Sequence, residues 1–582
     1  MENARIADAL EEMATLLEIK GANPFRVRAY RNAARVVGSY GEPMRKLVAQ
    51  DADLTRISGV GNDIATTIRE LVATGRLEAL EALRQEIPTG LLEFVNLPAV
   101  GPKKARALWQ GLGVTTLREL EAAARQGKIA KLANFGSKSE QKILAAIAEH
   151  KGESKRFRLP EAAATAEALV GHLRALQSIE RIEVAGSFRR RKATVGDLDI
   201  LVTTTQPQRV MERFVGWKEV QEIVSAGSTR STVLLRSGLQ VDVRVVEPKS
   251  FGAALMYFTG SKAHNIKIRR RALDRQLSVS EYGVFELQPT KKKAGARSEG
   301  RWVAGSSEAE IYTLLDLAWI PPELREDRGE VEAAEARALP ALVSAAALQG
   351  DAHVALESSG DIAAARRLLD AVAERGYRYV GLVGPAGQPA NRGLISIRAE
   401  LDELAERLGL RVFRGLDAPI TKDGQLRLAD AEARHADIIF ATLTEHFELE
   451  PAAQTERIVR ALADPRVHAL AQPLAPAPSA ASALPLDFDA ILQQARDAGV
   501  ALEIRGHPGR TELAENRILT ARRLDVPTLI TSGATRPDEL DYIHFGLDEA
   551  RRGWLEAAHV INTQTAAGLA QRLRAKPVQT PH

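Results

Sequence analysis

The sequence predicts a multidomain protein with a helical N-terminal region, an α+β middle region and a C-terminal region of repeated βα units. Three observations support this prediction. The chain has 582 residues, which is more than one hydrophobic core usually organises. Near residue 153 the pattern changes from helical periodicity to short β-rich runs. From about residue 340, strand-like runs alternate with helical patterns, which favours a parallel sheet or barrel.

The composition indicates ordinary globular domains, with 45% hydrophobic residues. The chain has no cysteine, which excludes disulfides and thiolate metal sites and fits a reducing cytosol. There is no apolar run long enough to cross a bilayer, and the N-terminus lacks the apolar core of a signal peptide. The net charge of +4 identifies no partner, but basic residues cluster between Lys262 and Arg275 and at 291–293. Such a cluster alone favours a solvated face; beside a phosphate-transfer site it favours a nucleic-acid groove.

Two similar segments lie in the helical region, at residues 57–65 (Ile-Ser-Gly-Val-Gly-Asn-Asp-Ile-Ala) and 97–105 (Leu-Pro-Ala-Val-Gly-Pro-Lys-Lys-Ala). Each predicts a tight turn that opens an amphipathic helix, where glycines allow close approach and free N–H groups attract phosphate. One such turn is commonly an ordinary αα-hairpin. The duplicated unit resembles a pair of helix-hairpin-helix motifs, which grip the DNA backbone without reading sequence. The predicted DNA contacts are Gly59, Gly61, Gly101, Lys103 and Lys104.

The middle region contains β-rich runs at 182–185, 198–202, 232–235 and 239–246. The turn Gly186-Ser187 follows the first run, and Gly196-Asp197-Leu198-Asp199-Ile200 opens the second. Side chains alternate faces along a strand, so Asp197 and Asp199 point the same way. Two such carboxylates repel unless they share cations, and hard divalent ions bind few carboxylates together with substrate phosphates. The pattern predicts metal-dependent phosphoryl transfer.

A third carboxylate, Asp242, lies in the run Leu239-Gln240-Val241-Asp242-Val243-Arg244-Val245. Alternation puts the valines on one face and Asp242 on the other. A surface carboxylate on an edge strand is the ordinary alternative, but the apolar surroundings disfavour it because an unpaired carboxylate near a core is costly. Three carboxylates on neighbouring strands can hold two metal ions, one activating a hydroxyl and one neutralising a triphosphate.

The C-terminal half begins after residues 319–326 (Trp-Ile-Pro-Pro-Glu-Leu-Arg-Glu), where a double proline forbids helix and indicates a boundary. The charged, Ala-rich segment 325–339 suggests a mobile linker, and the Ala/Pro-rich stretch 473–485 suggests a loop insertion. Seven strands are predicted, around 352–355, 379–383, 410–413, 437–441, 467–471, 501–504 and 527–532.

These motifs together resemble a known family. Gly186-Ser187, Asp197-Leu198-Asp199 and Asp242 match the nucleotidyltransferase superfamily pattern. Residues 254–262 (Ala-Leu-Met-Tyr-Phe-Thr-Gly-Ser-Lys) resemble the nucleotide-binding motif of family X DNA polymerases, the family of DNA polymerase beta. The paired hairpins fit that family, and residues 319–326 are typical of its long bacterial members. The resemblance covers essentially the whole chain.

The resemblance implies a fold with a helix-hairpin-helix N-terminal region, an α+β nucleotidyltransferase palm, a thumb-like subdomain and a C-terminal βα barrel. The barrel is of the polymerase and histidinol phosphatase (PHP) type. The predicted divisions are 1–85 and 86–152 for the two helical parts, 153–257 for the palm, 258–318 for the nucleotide and template subdomain, 319–339 for the linker and 340–575 for the barrel.

The resemblance also implies an activity: a template-directed DNA polymerase that transfers a nucleotide from a dNTP to a primer 3′-hydroxyl, with two Mg²⁺ or Mn²⁺ ions. Its implied partners are gapped or primer-template DNA and dNTPs. Its implied location is the bacterial cytoplasm, in association with the nucleoid, and its implied role is the filling of short gaps during DNA repair. A template-independent nucleotidyltransferase acting on RNA or a small molecule, and a non-catalytic DNA-binding scaffold, are the alternatives. The paired hairpins and the Tyr257-Phe258 motif disfavour the first alternative, and the complete aspartate trio disfavours the second.

Residue roles follow from the same resemblance. Asp197 and Asp199 would bridge both metals, and Asp242 would complete the catalytic metal's site. The triphosphate would be held at the Gly186 turn by Ser187, Arg190 and Gly196, with Arg158 as a further clamp and Lys262 beside the nucleotide. The sugar, base and template would meet Tyr257, Phe258, Gly260, Asn265 and Arg269.

The sequence departs from the family at one position of the N-terminal region. The lysine nucleophile that DNA polymerase beta uses on deoxyribose-phosphate ends corresponds to Thr67, which cannot form an imine. Weak or absent lyase activity of that type is therefore predicted.

The barrel departs further. The family's metal-binding, 3′–5′ exonuclease barrel uses His, Asp and Glu ligands. Here the first His-x-His pattern retains only His353, Asp417 replaces a glutamate and Thr444 a histidine, and three further motifs read Val383-Gly384-Pro385, Gln472-Pro473 and Gly533-Ala534-Thr535. The prediction is a catalytically degenerate barrel kept for packing or DNA contacts. A residual nuclease with a rearranged metal site at Asp351, His353, Asp417 and His446 is the alternative.

Overall fold

In the computed structural model the chain divides into two units, which meet between Lys155 and Arg156 in the sequence. The structure describes residues 3–38, 40, 44–57, 59–95, 97, 100–133, 135–154, 156–287, 300–356, 362–387, 397–471, 486–508 and 515–574. The basic run 291–293, Gln472-Pro473 and the predicted loop 473–485 lie outside these residues. No helix within the described ranges has the length and hydropathy needed to cross a membrane.

The N-terminal unit is helical, as predicted. Its helix α1 shows why: Ile6, Leu10, Met13 and Leu17 recur at helical spacing and are all buried. The nine α-helices described in this unit are α1 (Asn3–Lys20), α2 (Pro24–Gly38), α3 (Met44–Ala49), α4 (Asn62–Thr74), α5 (Glu78–Glu86), α6 (Gly90–Val95), α7 (Pro102–Leu112), α8 (Leu117–Arg125) and α9 (Ser137–Ser154). Gly61 and Gly101 are the N-caps of α4 and α7, so both predicted turns open helices.

The second unit begins with the palm sheet, whose strands lie in the order β2 (Ile179–Val184), β4 (Asp197–Thr204), β7 (Gln240–Val245), β6 (Arg230–Leu235) and β5 (Val220–Ala226). Only β4 and β7 pair in parallel; the other neighbours are antiparallel. The other elements of the palm are β1 (Phe157–Arg158) and β3 (Thr194–Val195), which form a separate antiparallel pair, and the helices α10 (Leu159–Arg174), α11 (Gly186–Arg189) and α12 (Pro207–Val215). The apolar residues of β4 and β7 that alternate with the aspartates are buried, which fixes the opposite face for the carboxylates.

A thumb-like subdomain follows the palm. Its elements are α13 (Phe251–Thr259), α14 (Lys262–Asp274), β8 (Leu277–Ser280), β9 (Gly283–Glu286), β10 (Trp302–Ala304), α15 (Glu308–Leu314) and α16 (Glu330–Glu335). The strands β8, β9 and β10 form an antiparallel sheet of three strands. The predicted division at residue 257 falls inside α13. It and the other predicted divisions stay predictions.

The segment predicted as a linker, 319–339, is packed into the second unit. Ile320 and Leu324 are buried beside the thumb, and the guanidinium of Arg325 is fully buried against Glu308. The double proline does exclude an α-helix: Pro322–Leu324 form a short 3₁₀ turn instead. Because the segment carries apolar side chains and a buried ion pair, it is a structural part of the thumb rather than a mobile connection.

The C-terminal region contains a parallel sheet of seven strands in sequential order, and all seven predicted strands are confirmed. They are β11 (Gly350–Ala355), β12 (Tyr379–Pro385), β13 (Arg411–Pro419), β14 (Ile438–Thr442), β15 (Ala469–Ala471), β16 (Ala501–Arg505) and β17 (Thr528–Thr531). The helices are α17 (Ile362–Glu374), α18 (Arg398–Arg407), α19 (Asp430–Ala433), α20 (Pro451–Leu462), α21 (Phe488–Asp497), α22 (Glu515–Arg523), α23 (Ile543–Arg552) and α24 (Ala566–Arg574).

The sheet curls into a nearly closed barrel whose seam lies between β11 and β17. The side-chain amide of Asn562 bridges this seam: its Nδ2 donates to the carbonyls of Gly350 (2.9 Å) and Ile530 (2.7 Å). Its Oδ1 accepts from the Ile530 N–H at 3.1 Å. Asn562 therefore satisfies backbone groups that would otherwise lack a strand partner.

Candidate active site

Three aspartates lie together on one face of the palm sheet. In the parallel pairing of β4 with β7, Asp199 is the register partner of Asp242, and Asp197 lies two residues earlier on the same face. Burial, which has the largest effect, and the neighbouring Asp197 and Asp242 carboxylates together raise the pKa of Asp199 to about 7. A buried carboxylate with two further carboxylates nearby favours its protonated form unless a cation is bound.

Protein donors hold the carboxylate of Asp242. The Thr232 hydroxyl donates to its Oδ1 at 2.6 Å, and the Gln240 amide donates to its Oδ2 at 3.1 Å. Arg230 approaches Oδ1 at 3.3 Å. Thr232 is the antiparallel register partner of Asp242 on β6, so the palm sheet itself orients this carboxylate.

Within the described ranges, no group of three or more His, Asp or Glu side chains already surrounds a point where a metal ion could sit. The aspartate trio nevertheless fits a hard divalent cation by the chemistry of its donors. Carboxylate oxygens are the ligands that Mg²⁺ and Mn²⁺ prefer, and a cation would relieve the repulsion that raises the pKa of Asp199.

The predicted Gly-Ser turn lies directly beside these carboxylates. Gly186 has φ 66°, and a Cβ built on it would lie 3.1 Å from the Oδ2 of Asp199. The preceding residue, Ala185, donates its N–H to the carbonyl of Asp199 at 2.7 Å. Ser187 follows on α11, and Gly196 immediately precedes Asp197 on the strand. The turn with Ser187, and Gly196, therefore lie near the start of β4, where Asp197 and Asp199 are located.

The two predicted phosphate-binding arginines occupy different places. The Nε of Arg190 donates to Glu326 at 2.9 Å, and its Nη1 donates to the carbonyl of Thr259, next to the Gly260 turn. Arg158 instead donates to the carbonyl of Pro508 at 2.7 Å, in the loop after β16 of the barrel. Arg158 and Pro508 both line a cavity of about 480 Å³ between the palm and the barrel.

The nucleotide-binding motif forms the end of α13 and the start of α14. The rings of Tyr257 and Phe258 pack edge to face, with centroids 5.0 Å apart at 79°. The guanidinium of Arg269 lies 5.0 Å from the Tyr257 ring. Gly260 turns the chain between the helices at φ 69°, where a Cβ would lie 3.2 Å from the Nη1 of Arg190. Lys262, the first residue of α14, is exposed.

Asn265 is anchored through one end of its amide. Its Nδ2 donates to the carbonyl of Tyr257 at 2.7 Å. Its Oδ1 is buried and makes no hydrogen bond to any described residue. A buried amide oxygen without a partner is costly, so this atom is a candidate contact for a bound nucleotide.

A buried charge network behind the turn was not predicted from the sequence. Glu308 accepts hydrogen bonds from Arg189 (2.7 Å) and Arg325 (2.6 Å), joining the palm turn to the thumb. Burial alone would raise the pKa of Glu308, but the two guanidiniums outweigh it and hold that pKa far below its usual range. The motif at residues 319–326 contained the one sequence signal for this network. Its arginine, Arg325, is buried, and a buried arginine requires a carboxylate partner.

In the N-terminal unit, the predicted DNA-contacting residues lie at the two helix-opening turns. Gly59 has φ 92°, and Cβ atoms built on Gly61 and Gly101 would meet no atom within 4 Å, so both turns are open. Lys103 and Lys104 lie in the first turn of α7. Thr67 is buried on α4, where its hydroxyl donates to the carbonyl of Asp63 at 2.9 Å.

The barrel mouth contains an ion-pair cluster around His353, the one histidine retained from the family's first His-x-His pattern. His353 is buried; its Nδ1 lies 2.9 Å from Glu503, and its Nε2 lies 3.5 Å from Asp417. The Nη2 of Arg505 lies 3.0 Å from Glu503 and 3.1 Å from the Nδ1 of His353. Burial and Arg505 lower the pKa of His353, but the Glu503 and Asp417 carboxylates outweigh them and raise it to about 9.

The donor set at the barrel mouth does not fit a metal cluster. A guanidinium fixed beside His353 repels a cation. Asp351 accepts from the Ser532 N–H at 3.2 Å, and His446 lies 3.5 Å from Glu448 in the loop after β14. Glu503 and Arg505 were not predicted, although strand alternation puts both on the inner face of β16.

Thus a palm with a carboxylate trio and a Gly-Ser turn defines a nucleotidyltransferase. Comparison with family models agrees: residues 158–268 match DNA polymerase beta palm, and residues 254–326 match DNA polymerase beta thumb. Residues 1–77 match a helix-hairpin-helix domain, and residues 91–149 match a SAM-like helix-hairpin-helix tandem.

One similar protein covers nearly the whole chain, and others cover parts of it. A Bacillus subtilis (strain 168) protein named DNA polymerase/3′-5′ exonuclease PolX is 31% identical over 575 residues, covering 97% of this chain and 98% of that protein. DNA polymerase lambda of Rattus norvegicus is 24% identical over 342 residues, covering 56% of each chain. A protein named probable phosphatase from Syntrophotalea carbinolica is 26% identical over 163 residues, covering 26% of this chain and 65% of that protein. The chain belongs to the bacterial family X DNA polymerases, and it is a DNA-directed DNA polymerase.

Proposed function

We propose that Asp197, Asp199 and Asp242 form the catalytic centre of this polymerase. The observation that carries the proposal is the register pairing of Asp199 with Asp242, together with the raised pKa of Asp199. Two divalent ions bound to these carboxylates would activate the primer 3′-hydroxyl and neutralise the triphosphate. Both Mg²⁺ and Mn²⁺ suit such oxygen ligands.

In this proposal the motif residues position the nucleotide. Ser187, Arg190 and Gly196 contact the β- and γ-phosphates; Tyr257 and Phe258 pack under the sugar, where a 2′-hydroxyl would meet backbone. Further contacts are proposed for Lys262 with the triphosphate, Asn265 with the base edge and Arg269 with the template. Arg158 remains a proposed phosphate clamp, but its hydrogen bond to Pro508 would have to open first. The primer 3′-oxygen then attacks the α-phosphorus in line and pyrophosphate leaves, a step favoured by positioning and charge neutralisation.

The proposed DNA partner is a gapped or primer-template duplex, held by the two helix-opening turns of the N-terminal unit. Open glycine turns with lysines in the first helical turn suit the phosphate backbone, because they present N–H groups and positive charge. Such contacts carry no sequence information, which is appropriate for filling short gaps during repair. A bacterial cytoplasmic location is proposed with this role.

Single-nucleotide gap filling with Mg²⁺ or Mn²⁺ tests the proposal. Asp197→Ala should abolish incorporation, while binding to gapped DNA, measured by fluorescence anisotropy, survives. Glu222→Ala is the matched control, because Glu222 is an exposed carboxylate on β5 of the same sheet. An active Asp197→Ala protein would refute the assignment. Faster extension of single-stranded RNA than of gapped DNA would favour a template-independent nucleotidyltransferase.

We also propose that the barrel is catalytically inactive as a nuclease and serves as packing for the polymerase. The cluster of His353, Glu503 and Arg505 supports this. The buried carboxylate of Glu503 is paired with the side chains of His353 and Arg505, in the place where a metal ion would otherwise balance its charge. The alternative is a residual nuclease at Asp351, His353, Asp417 and His446. A 3′-labelled primer incubated with Mn²⁺ and no nucleotides should stay intact. Degradation that survives Asp197→Ala but is lost in His353→Ala would establish the alternative.

A further inference from the structure

An arginine of the barrel reaches the proposed phosphate-binding residue of the palm. Arg552 is the last residue of α23, a helix that packs on β16 and β17 of the barrel. Its side chain is fully buried. Its Nη1 donates a hydrogen bond to the backbone carbonyl of Arg190, 362 residues away in the sequence.

The same guanidinium also meets the carboxylate that orients the Arg190 side chain. Glu326 Oε1 accepts from the Nε of Arg190 at 2.9 Å and lies 3.3 Å from both Nη1 and Nη2 of Arg552. One carboxylate is thus shared by two arginines, one from the palm and one from the barrel. Arg190 and Glu326 are nearly buried, with side chains 13% and 12% exposed, so solvent screens these contacts weakly.

The contacts on Arg190 leave one part of its guanidinium for a ligand. Its Nε is held by Glu326 and its Nη1 by the carbonyl of Thr259. Among the described residues, its Nη2 makes no hydrogen bond. Arg552 therefore holds Arg190 twice, at its backbone carbonyl and through Glu326, in an orientation that presents Nη2.

We propose that Arg552 is a positioning residue for nucleotidyl transfer, through which the barrel sets the geometry of the polymerase's triphosphate site. This inference rests on the proposed role of Arg190 in binding nucleotide phosphates. Arginine suits the position because its planar fork spans a carbonyl and a carboxylate at once; lysine would keep the charge and lose the fork. The barrel then contributes to polymerisation without any chemistry of its own.

Steady-state single-nucleotide gap filling by the full-length chain tests the inference. Arg552→Gln should raise the KM for dNTP roughly tenfold while kcat and the affinity for gapped DNA change much less. Arg551→Gln is the matched control: the neighbouring Arg551 also reaches out of the barrel, to Glu323 at 2.8 Å, but does not contact Arg190. A purely structural role would lower the melting temperature or kcat of both variants and leave the KM for dNTP unchanged.

A double-mutant comparison separates this inference from the function on which it rests. Arg190→Ala should raise the KM for dNTP, and adding Arg552→Gln to it should raise the KM by less than about twofold more. If Arg190→Ala raises the KM but Arg552→Gln does not, Arg552 has no positioning role. If Arg190→Ala leaves the KM unchanged, the proposed role of Arg190 fails and the inference fails with it. Should Arg552→Gln not fold, Glu326→Gln removes the shared carboxylate charge, and the same KM increase is expected.

Discussion

The Nη2 nitrogen of Arg505 lies 3.0 Å from the carboxylate of Glu503, and both side chains point into the barrel mouth from one strand. Glu503 is fully buried and also accepts from the Thr531 hydroxyl at 2.7 Å. Burial alone would raise the pKa of Glu503; Arg505 and His353 outweigh it and hold that pKa far below its usual range. Positively charged side chains of the barrel itself therefore neutralise Glu503.

Removing Arg505 should destabilise the barrel. Arg505→Met leaves the Glu503 carboxylate buried with fewer counter-charges, which costs about 3–5 kcal/mol in comparable cases. The double variant Glu503→Gln/Arg505→Met removes both charges and should recover most of that loss. Urea unfolding measures both, with Arg496→Met, an exposed arginine of α21, expected within about 0.5 kcal/mol of wild type. Equal destabilisation in the single and double variants would contradict the pairing.

Stability should depend on pH through His353. Its pKa is raised from 6.5 to about 9 in the folded chain, so the protonated form is favoured by folding. The resulting stabilisation is fully present below about pH 6.5 and is lost as pH rises through about 9. The melting temperature should therefore fall across this window in wild type, and fall less in His353→Gln. His435→Gln, which changes an exposed barrel histidine, should retain the wild-type dependence; the same slope in all three proteins would argue against the shift.

Thr232 should affect metal dependence without touching the metal. Thr232→Val removes the hydroxyl that donates to Asp242 at 2.6 Å. Loss of a group that hydrogen-bonds to a metal-binding side chain typically weakens metal affinity or activity by about 10–100-fold. A Mg²⁺ titration of gap filling measures the effect. Thr203→Val is the control, because the buried Thr203 hydroxyl makes no hydrogen bond to described residues; it should behave as wild type.

The N-terminal unit should lack Schiff-base lyase activity at the family's lysine position. Thr67 has no amine, is buried and donates its hydroxyl to the Asp63 carbonyl at 2.9 Å. Borohydride treatment with an incised abasic DNA end should trap no covalent adduct within residues 1–85. A strong adduct mapped to that region by mass spectrometry would show that another lysine has taken the role.

Structural features that depend on a pattern repeating every few residues could be predicted from the sequence. The aspartates fall on one face because strand side chains alternate, and the seven barrel strands are recognisable as apolar runs between helical patterns. The contacts of Arg158 with Pro508 and of Arg190 with Glu326 could not be predicted, because they join residues 350 and 136 positions apart. No local pattern specifies such pairs; they follow from how the barrel and thumb pack against the palm.

The side-chain amide of Asn562, which bridges the barrel seam, also determines when the barrel can close during synthesis of the chain. Its partner Gly350 lies 212 residues earlier on the first barrel strand. Chains leave the ribosome N-terminus first, so β11 is made long before Asn562. Throughout that interval one edge of β11 lacks its eventual cover, and unpaired strand edges invite association between nascent chains. The barrel therefore cannot complete its seam until translation has passed residue 562.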